Sequence, residues 1–416
     1  MGPITLFDKS FLQSLSLDEA VWFDNFFLTN ISPIFFVETL ADLEKAVRSG
    51  RTPEQEVGII ADKTPEMNSC PNMFHTQLCI GNLLGHQVTM DGRIILPGGK
   101  PVRTADQSGI VFDIPAEVEA LSRWQNGEFL IVERRFAKVW RRMLRVLDFE
   151  KIFQGLNSIG INANGCKTLE GAKAIAESII NASGYSFDRM KFVFFLLNIP
   201  GRLFLPVWQR WGINGCPSLK SFAPYAAHVL AIEVFFYIAG ASNLISRKKV
   251  TDKIDLTYLF YLPFCMVFVS SDHIHRRCAP LFMRSDQEFV WGPDLKGDLR
   301  NIDQYFDNLP ESEKEKGLYA IASRPPYDED SIVTRLWDRF LPRWRETSER
   351  EFSTNKELSD HLVKHGEKFT EAKPLRSDQV DFDLSNPDAM VIQRKIQKKK
   401  GKWWQLPKDL QNENEK

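Results

Sequence analysis

The chain has 416 residues, of which 43% are hydrophobic and 26% charged, a composition normal for a soluble globular protein with one main domain and additions. The formal net charge is −1, so overall charge neither favours nor excludes a nucleic-acid partner, and local clusters must decide. Six cysteines over this length exclude a disulfide scaffold and fit a reducing cytoplasm, where we expect the protein to be located.

The first 48 residues predict a compact α/β unit. Ile4 to Phe7 is an apolar run typical of a buried strand, and Asp8 follows it directly. Ser32 and Pro33 then predict the start of a helix, because serine is a good N-cap and proline is favoured at the first helical position. Glu38 lies in the second turn of this helix.

Residues 49–224 are expected to form an insertion of one hairpin and several helices that packs beside the core. Gln87 to Leu96 contains an Asp-Gly turn and predicts the hairpin. A helix predicted from about Glu128 to Phe153 carries a stripe of cations on one face: Arg134, Lys138, Arg141 and Arg145. The stripe either follows a phosphate backbone or is the solvated face of an amphipathic helix.

The stretch 226–245 is long and apolar enough to cross a membrane. Its middle contains His228 and Glu233, which would be costly in lipid, so we expect a buried core helix and no membrane association. Glu233 is then either the partner of an arginine or an additional acid near the functional site.

From residue 251 onward the pattern predicts alternating helices and strands. Asp255 lies in the first turn of a predicted helix, Met266 to Ser270 is a predicted strand, and Asp272 follows it. Glu288 to Trp291 predicts a further strand before another helix. This alternation favours a parallel sheet with helices on both faces, in which strands 4–7 and 266–270 are neighbours.

The end of the chain changes in composition. Residues 311–345 are expected to be a helical extension, with one helix from Val333 to Trp344. Residues 346–416 contain few aliphatic side chains and predict a charged, flexible tail. Lysines before Trp403 and Trp404 either add affinity for nucleic acid or keep the tail soluble.

Four carboxylates, those of Asp8, Glu38, Asp255 and Asp272, are placed where strand ends and helix starts bring side chains together. Hard divalent cations such as Mg²⁺ and Mn²⁺ take carboxylate ligands, and phosphodiester hydrolysis needs an activated water and neutralised phosphate charge. Each acid alone is more often a cap or a solvated residue, so their joint placement is what predicts a site. Because crowded carboxylates repel one another, Asp8→Asn or Asp272→Asn is expected to leave the metal-free protein as stable or slightly more stable.

Three segments of the sequence resemble the PIN-domain nucleases. ITLFDKSFL resembles the first strand and first acid of that family, SPIFFVETL its second-acid helix, and DLTYLFYLPFCMVFVSSD its third-acid helix, next strand and fourth acid. The resemblance covers residues 3–48 and 225–300. It implies a PIN-like core at 1–48 and 225–310, a three-layer α/β/α sandwich with a parallel central sheet, interrupted by the insertion and followed by the charged extension.

The resemblance also implies a function. Asp8, Glu38, Asp255 and Asp272 would bind Mg²⁺ or Mn²⁺, and the protein would be an endonuclease. Its expected substrate is single-stranded RNA, with structured DNA or RNA as the alternative. Ser270, Arg276 and Arg277 flank the fourth acid and would contact the substrate, although Ser270 could equally just end its strand. His273 and His275 would orient the phosphate or steady the fourth acid, and their spacing gives little support to a zinc site.

One alternative keeps the fold without the chemistry. In it the protein is a catalytically inert, PIN-like nucleic-acid-binding or scaffold protein. A compact PIN domain has no insertion like 49–224, and this departure leaves room for a regulatory protein partner.

Overall fold

A parallel sheet of five strands, in the order β3-β2-β1-β6-β7, forms the centre of the protein. The computed structural model describes residues 2–45, 50–145, 166–182, 187–246, 251–346, 356–384 and 386–410. Strand β1 pairs with β6 in parallel, with Thr5 opposite Val267. The predicted pairing of two strands more than 250 residues apart is therefore confirmed.

The strands are β1 (Ile4–Phe7), β2 (Leu28–Ile31), β3 (Ser69–Pro71), β4 (Lys100–Arg103), β5 (Ser108–Phe112), β6 (Val267–Ser270), β7 (Glu288–Trp291), β8 (Ala389–Ile392), β9 (Lys399–Lys400) and β10 (Trp403–Trp404). The helices of the first half are α1 (Lys9–Ser14), α2 (Leu17–Phe26), α3 (Pro33–Ala41), α4 (Pro53–Lys63), α5 (His75–Leu84), α6 (Ala116–Gln125), α7 (Ile131–Arg145), α8 (Leu169–Asn181) and α9 (Phe187–Leu196). Those of the second half are α10 (Phe204–Ile213), α11 (Leu219–Phe222), α12 (Pro224–Ala241), α13 (Thr251–Thr257), α14 (His273–Phe282), α15 (Gly292–Asp307), α16 (Glu311–Lys314), α17 (Leu318–Ile321), α18 (Ile332–Phe340) and α19 (Lys356–Glu371). A 3-10 helix, Tyr258–Phe264, continues α13.

Both faces of the central sheet are covered. All four residues of β6 are buried, and consecutive side chains of a strand point to opposite faces. The run Val-Phe-Val is typical of a strand in a parallel sheet, which is apolar on both sides. The architecture is therefore α/β, as the sequence predicted, and is compatible with three layers.

The region 49–224 is more than an insertion beside the core. Its β3 pairs with β2, so the sheet draws one of its strands from this region. The hairpin predicted at Gln87–Leu96 does not form, because this segment is held by other partners: the Gly92 amide donates to Pro263, and Arg284 donates to the Met90 carbonyl. The observed hairpin is β4–β5, a few residues later.

The predicted flexible tail is largely ordered where the structure describes it. Strand β8 pairs in parallel with β5, and β9 and β10 form a short hairpin. Trp403 is fully buried, with its ring 4.7 Å from that of Trp22. Low aliphatic content suggested disorder, but one large aromatic side chain supplies the anchor that composition does not reveal.

Helix α12 is buried, as its sequence predicted. It is the one helix in the described part of the chain that is long and apolar enough to cross a membrane, and 89% of it is buried inside the protein. Glu233 forms an ion pair with Lys253 over 3.1 Å, so its partner is a lysine rather than an arginine.

Candidate functional site at the carboxyl edge of the sheet

The chain changes direction across the sheet between β1 and β6. From β1 it continues to β2 and β3 on one side, whereas β6 and β7 lie on the other side. Ligands of open α/β sheets bind outside the carboxyl ends of strands at such a switch point. Asp8 follows β1 and Asp272 follows shortly after β6, so both acids lie at this position.

Asp8 is buried and held by several donors. Its Oδ1 caps α1 by accepting from the Phe11 amide over 2.9 Å, and its Oδ2 accepts from Ser10 Oγ at 2.6 Å and Ser270 Oγ at 2.8 Å. His275 Nδ1 lies 3.4 Å from the same Oδ2. Burial alone would raise the pKa of Asp8, but the hydrogen bond and charge of His275, together with the hydrogen bonds from Ser10 and Phe11, outweigh it and hold this pKa below its usual value.

His275 is fully buried, and its hydrogen bonds define its protonation. Its Nε2 lies 2.6 Å from the backbone oxygen of Asp255, which can only accept, so Nε2 must carry a proton. Its Nδ1 lies 2.7 Å from Ser270 Oγ, and it donates to that oxygen when the Ser270 proton goes to Asp8. In this arrangement the ring is an imidazolium. Burial lowers its pKa, but Asp8 and Asp255 more than reverse this and raise it to about 9.

Glu38 is half-buried on α3, within electrostatic range of Asp8. Tyr258 donates to its Oε2 over 2.6 Å, and Lys9 donates to its backbone carbonyl over 3.0 Å. Burial raises the pKa of the Glu38 carboxyl, with a further contribution from Asp8. Lys9 does not neutralise Glu38 completely, because its ammonium is also paired with Asp42 at 2.9 Å.

Asp255 differs from the other three acids in its contacts. Within the part of the chain that the structure describes, its carboxylate has no hydrogen bond or ion pair, and His275 bonds only to its backbone oxygen. Burial is the main cause that raises its pKa to about 8, and the charges of Glu38, Asp272 and Asp8 raise it further against the effect of His275. Asp255 therefore lies within electrostatic range of the other three predicted acids. Asp272 is half-buried and caps α14 by accepting from the Ile274 amide over 2.8 Å.

The donor set matches Mg²⁺ or Mn²⁺ in kind, because hard cations prefer carboxylate oxygens. The positions of these side chains do not yet form a metal site. Among the described residues, no three acidic, histidine or cysteine side chains are close enough together to hold a metal ion. Both oxygens of Asp8 already accept hydrogen bonds. A cation held by these carboxylates would require side-chain rotations that bring Glu38, Asp255 and Asp272 together.

The residues predicted to bind substrate differ in their surroundings. Ser270 is fully buried and bonded to Asp8, His275 and the Asp272 amide, so it positions the acids and does not face a ligand. Arg277 donates to the Leu244 carbonyl. Arg276 is exposed, and its guanidinium lies over the ring of Trp291.

The basic stripe on α7 is divided between structural and exposed cations. Helix α7 packs on α3, and Arg141 donates to the carbonyl of Ala41, one turn beyond Glu38. Arg134 is paired with Glu54 at 2.6 Å. Lys138 is exposed, and the side chain of Arg145 lies outside the described residues. The helix also exposes Arg135 and Arg142, which lie on the same face as Lys138.

Sequence reasoning missed the central role of His275 and the roles of Tyr258 and Trp291. His275 was expected to steady the fourth acid, whereas its ring lies against the first. The sequence contained one indication of this role, because a histidine three residues after an acid at a strand end lies in the first turn of the following helix, close to that strand end. The sequence could not show that its partner is Asp8, because that contact depends on the pairing of β1 with β6.

No protein-family model, curated protein or solved structure matches this chain.

Proposed function

We propose that this protein is a divalent-metal-dependent endonuclease that hydrolyses phosphodiester bonds, with single-stranded RNA as its substrate and a PIN-like core. The observation that carries the proposal is the convergence of four carboxylates, from three distant segments, at the switch point of a parallel sheet. Burial is the main cause that raises the pKa of Asp255 to about 8, and the charges of Glu38, Asp272 and Asp8 raise it further, a concentration of negative charge that a cation would relieve. The substrate class follows from the resemblance to PIN-domain nucleases.

In this proposal Asp8 and Asp272 are the main ligands of Mg²⁺ or Mn²⁺, and Glu38 and Asp255 hold a second ion or position water. A bound divalent cation supplies an activated water and neutralises charge on the phosphate. His275 and Ser270 fix the orientation of Asp8, and Tyr258 fixes that of Glu38. Arg276 and the exposed cations of α7 bind the phosphates of the strand on either side of the acids.

A second candidate is an inert protein of the same fold that binds nucleic acid or acts as a scaffold. One observation favours it: within the described part of the chain no three ligating side chains are in place for a metal, and Asp8 is already fully hydrogen-bonded. Ion-dependent cleavage separates the two candidates.

The test is incubation of the full chain with labelled single-stranded and double-stranded RNA and DNA, in Mg²⁺, Mn²⁺ or EDTA. The proposal expects cleavage of single-stranded RNA with either metal and none in EDTA or in Asp272→Asn. Asp286→Asn is the matched control, because Asp286 is an exposed acid that precedes β7 at the opposite edge of the sheet. This variant should cleave RNA as the wild type does. Binding without cleavage under every condition would support the inert candidate.

A further inference from the structure

The indole ring of Trp291 contacts the side chains of His273 and Arg276, close to the four acids. Trp291 is the last residue of β7, and it is half-buried. The ring of His273 lies 5.2 Å from the Trp291 ring at 39°, and the Arg276 guanidinium lies 4.9 Å from the Trp291 centroid. His273 and Arg276 are both exposed in the first turn of α14, directly after Asp272.

The turn after β7 explains why Trp291 lies at this edge of the sheet. Ser270 of β6 is opposite Trp291, so both strands end at the same level. The next residue is Gly292, where a Cβ atom would overlap Ser271 Oγ and lie 3.1 Å from the Ser270 carbonyl carbon. Only glycine allows this close approach, which brings the start of α15 against the loop between β6 and Asp272.

The chemistry of the cluster fits an unpaired nucleobase with its phosphate. Indole rings stack on any base, because every base has a π face, and arginine adds a cation that interacts with both ring and phosphate. Arg276 has no ion pair within the described residues, so its charge is available to a ligand. Bases in a duplex are stacked on one another and cannot stack on the Trp291 ring, whereas the bases of a single strand can.

We propose that Trp291, with His273 and Arg276, forms a subsite that stacks one unpaired base next to the scissile phosphate. This proposal rests on the proposed nuclease function and deepens it, because it explains a preference for single strands by a specific contact. A base stacks on Trp291 when the Arg276 guanidinium moves from the ring to the phosphate that flanks the base, and His273 limits the stacking surface on one side.

The test uses a set of short, fluorescently labelled single-stranded RNAs in which one abasic nucleotide is moved along the sequence. Binding is measured by anisotropy in EDTA, and cleavage in Mn²⁺. For the wild type we expect one abasic position to weaken binding and slow cleavage on the order of tenfold, the effect of losing one base stack. In Trp291→Ala all oligonucleotides should bind equally weakly, and Trp291→Phe should restore the dependence on position.

Trp404→Ala is the matched control. Trp404 is also half-buried with cations over its ring, Lys399 at 5.1 Å and Lys408 at 5.9 Å, but it belongs to the β9–β10 hairpin. It should retain the wild-type abasic pattern. A merely structural role for Trp291 would lower the melting temperature without removing the dependence on abasic position.

The outcomes separate the two proposals. If the wild type shows the abasic pattern in binding and Trp291→Ala loses it, the subsite stands even where no RNA is cleaved, and only the nuclease proposal fails. If RNA is cleaved but the abasic pattern is absent or persists in Trp291→Ala, the subsite is overturned alone. A wild type that binds no single strand overturns the subsite.

Discussion

The imidazole Nε2 of His275 donates a hydrogen bond to the backbone carbonyl of Asp255 over 2.6 Å. This bond joins the helix after β6 to the helix that carries the third acid. Because the same ring contacts Asp8 and Ser270, one buried cation connects the chain segments on which three of the four acids are placed.

His275 makes stability depend on pH. Its pKa is raised from 6.5 to about 9, so the stabilisation it provides is complete below pH 6.5 and is lost as the pH rises through about 9. In EDTA we expect the free energy of unfolding of the wild type to fall across this window, with up to ~3 kcal/mol due to His275. Urea unfolding at pH 6.5 and 9 should show a smaller fall for His275→Gln. Equal falls in the two proteins would contradict the buried imidazolium.

Asp8 and Asp255 should respond to neutralisation in opposite directions. The pKa of Asp8 is lowered by His275, so its charge stabilises the fold, and Asp8→Asn should lower the melting temperature in EDTA. The pKa of Asp255 is raised to about 8, so near pH 8 and above its charge destabilises the fold, and Asp255→Asn should raise the melting temperature there. Melts at pH 8.5, with Asp286→Asn as the control, test this. Shifts of the same sign would refute it.

This prediction differs from the expectation from sequence that Asp8→Asn would be neutral or stabilising. The sequence shows that acids are crowded, but it cannot show that a histidine after β6 holds the pKa of Asp8 below its usual value while the pKa of Asp255 stays raised.

Metal binding should stabilise the wild type. A ligand that binds only the folded state adds about 2.7 kcal/mol at one hundred times its dissociation constant, so millimolar Mn²⁺ should raise the melting temperature. Asp272→Asn should show a smaller increase, and it leaves the Asp8–His275 pair intact. A melting temperature of the wild type that ignores Mn²⁺ would count against the nuclease proposal.

Part of the central sheet was predictable because β1 and β6 are short apolar runs closely followed by an aspartate, and β7 contains Phe, Val and Trp before a Gly-Pro break. Strands β2 and β3 were both missed. Leu28–Ile31 is short and has two polar residues in its middle, and Ser69–Pro71 has three residues, no alternation and a proline, so β3 is recognisable only beside β2. The four acids were predictable from strand ends and helix starts. The hydrogen bonds of His275, the Trp291 cluster and the pairing of Arg141 depend on contacts between distant segments.

The exposed cations of α7 should control binding to nucleic acid. Reversing Arg135, Lys138 and Arg142 to Glu should weaken binding and reduce the slope of log affinity against log salt by about 2, at roughly 0.7 per phosphate contact on a single strand. Arg134→Glu with Arg141→Glu is the control, because these residues pair with the protein, and it should mainly lower stability. An unchanged salt slope in the triple variant would show that the exposed cations of α7 do not contact nucleic acid and that this face of the helix is only solvated.

The C-terminal hairpin should be part of the cooperative fold. Trp403→Ala removes a fully buried ring, and it removes the indole that donates to Asp303 over 2.8 Å, so we expect a loss of about 3–5 kcal/mol. Trp404→Ala, at a half-buried position, should lose much less. Equal effects in urea unfolding would show that Trp403 does not anchor the chain end.

The pairing of β1 with β6 also has a consequence for biosynthesis. Asp8 and Ser270, whose hydrogen bond closes the acidic site, are 262 residues apart. At roughly 5–20 residues per second, a ribosome needs about 13–50 s to make the intervening chain. Until then Asp8 has neither its serine nor its histidine, and β1 lacks one of its two neighbours in the sheet. A nascent chain therefore cannot assemble the acidic site until His275 has left the ribosome, so the order of synthesis itself delays the formation of this site until most of the chain has been made.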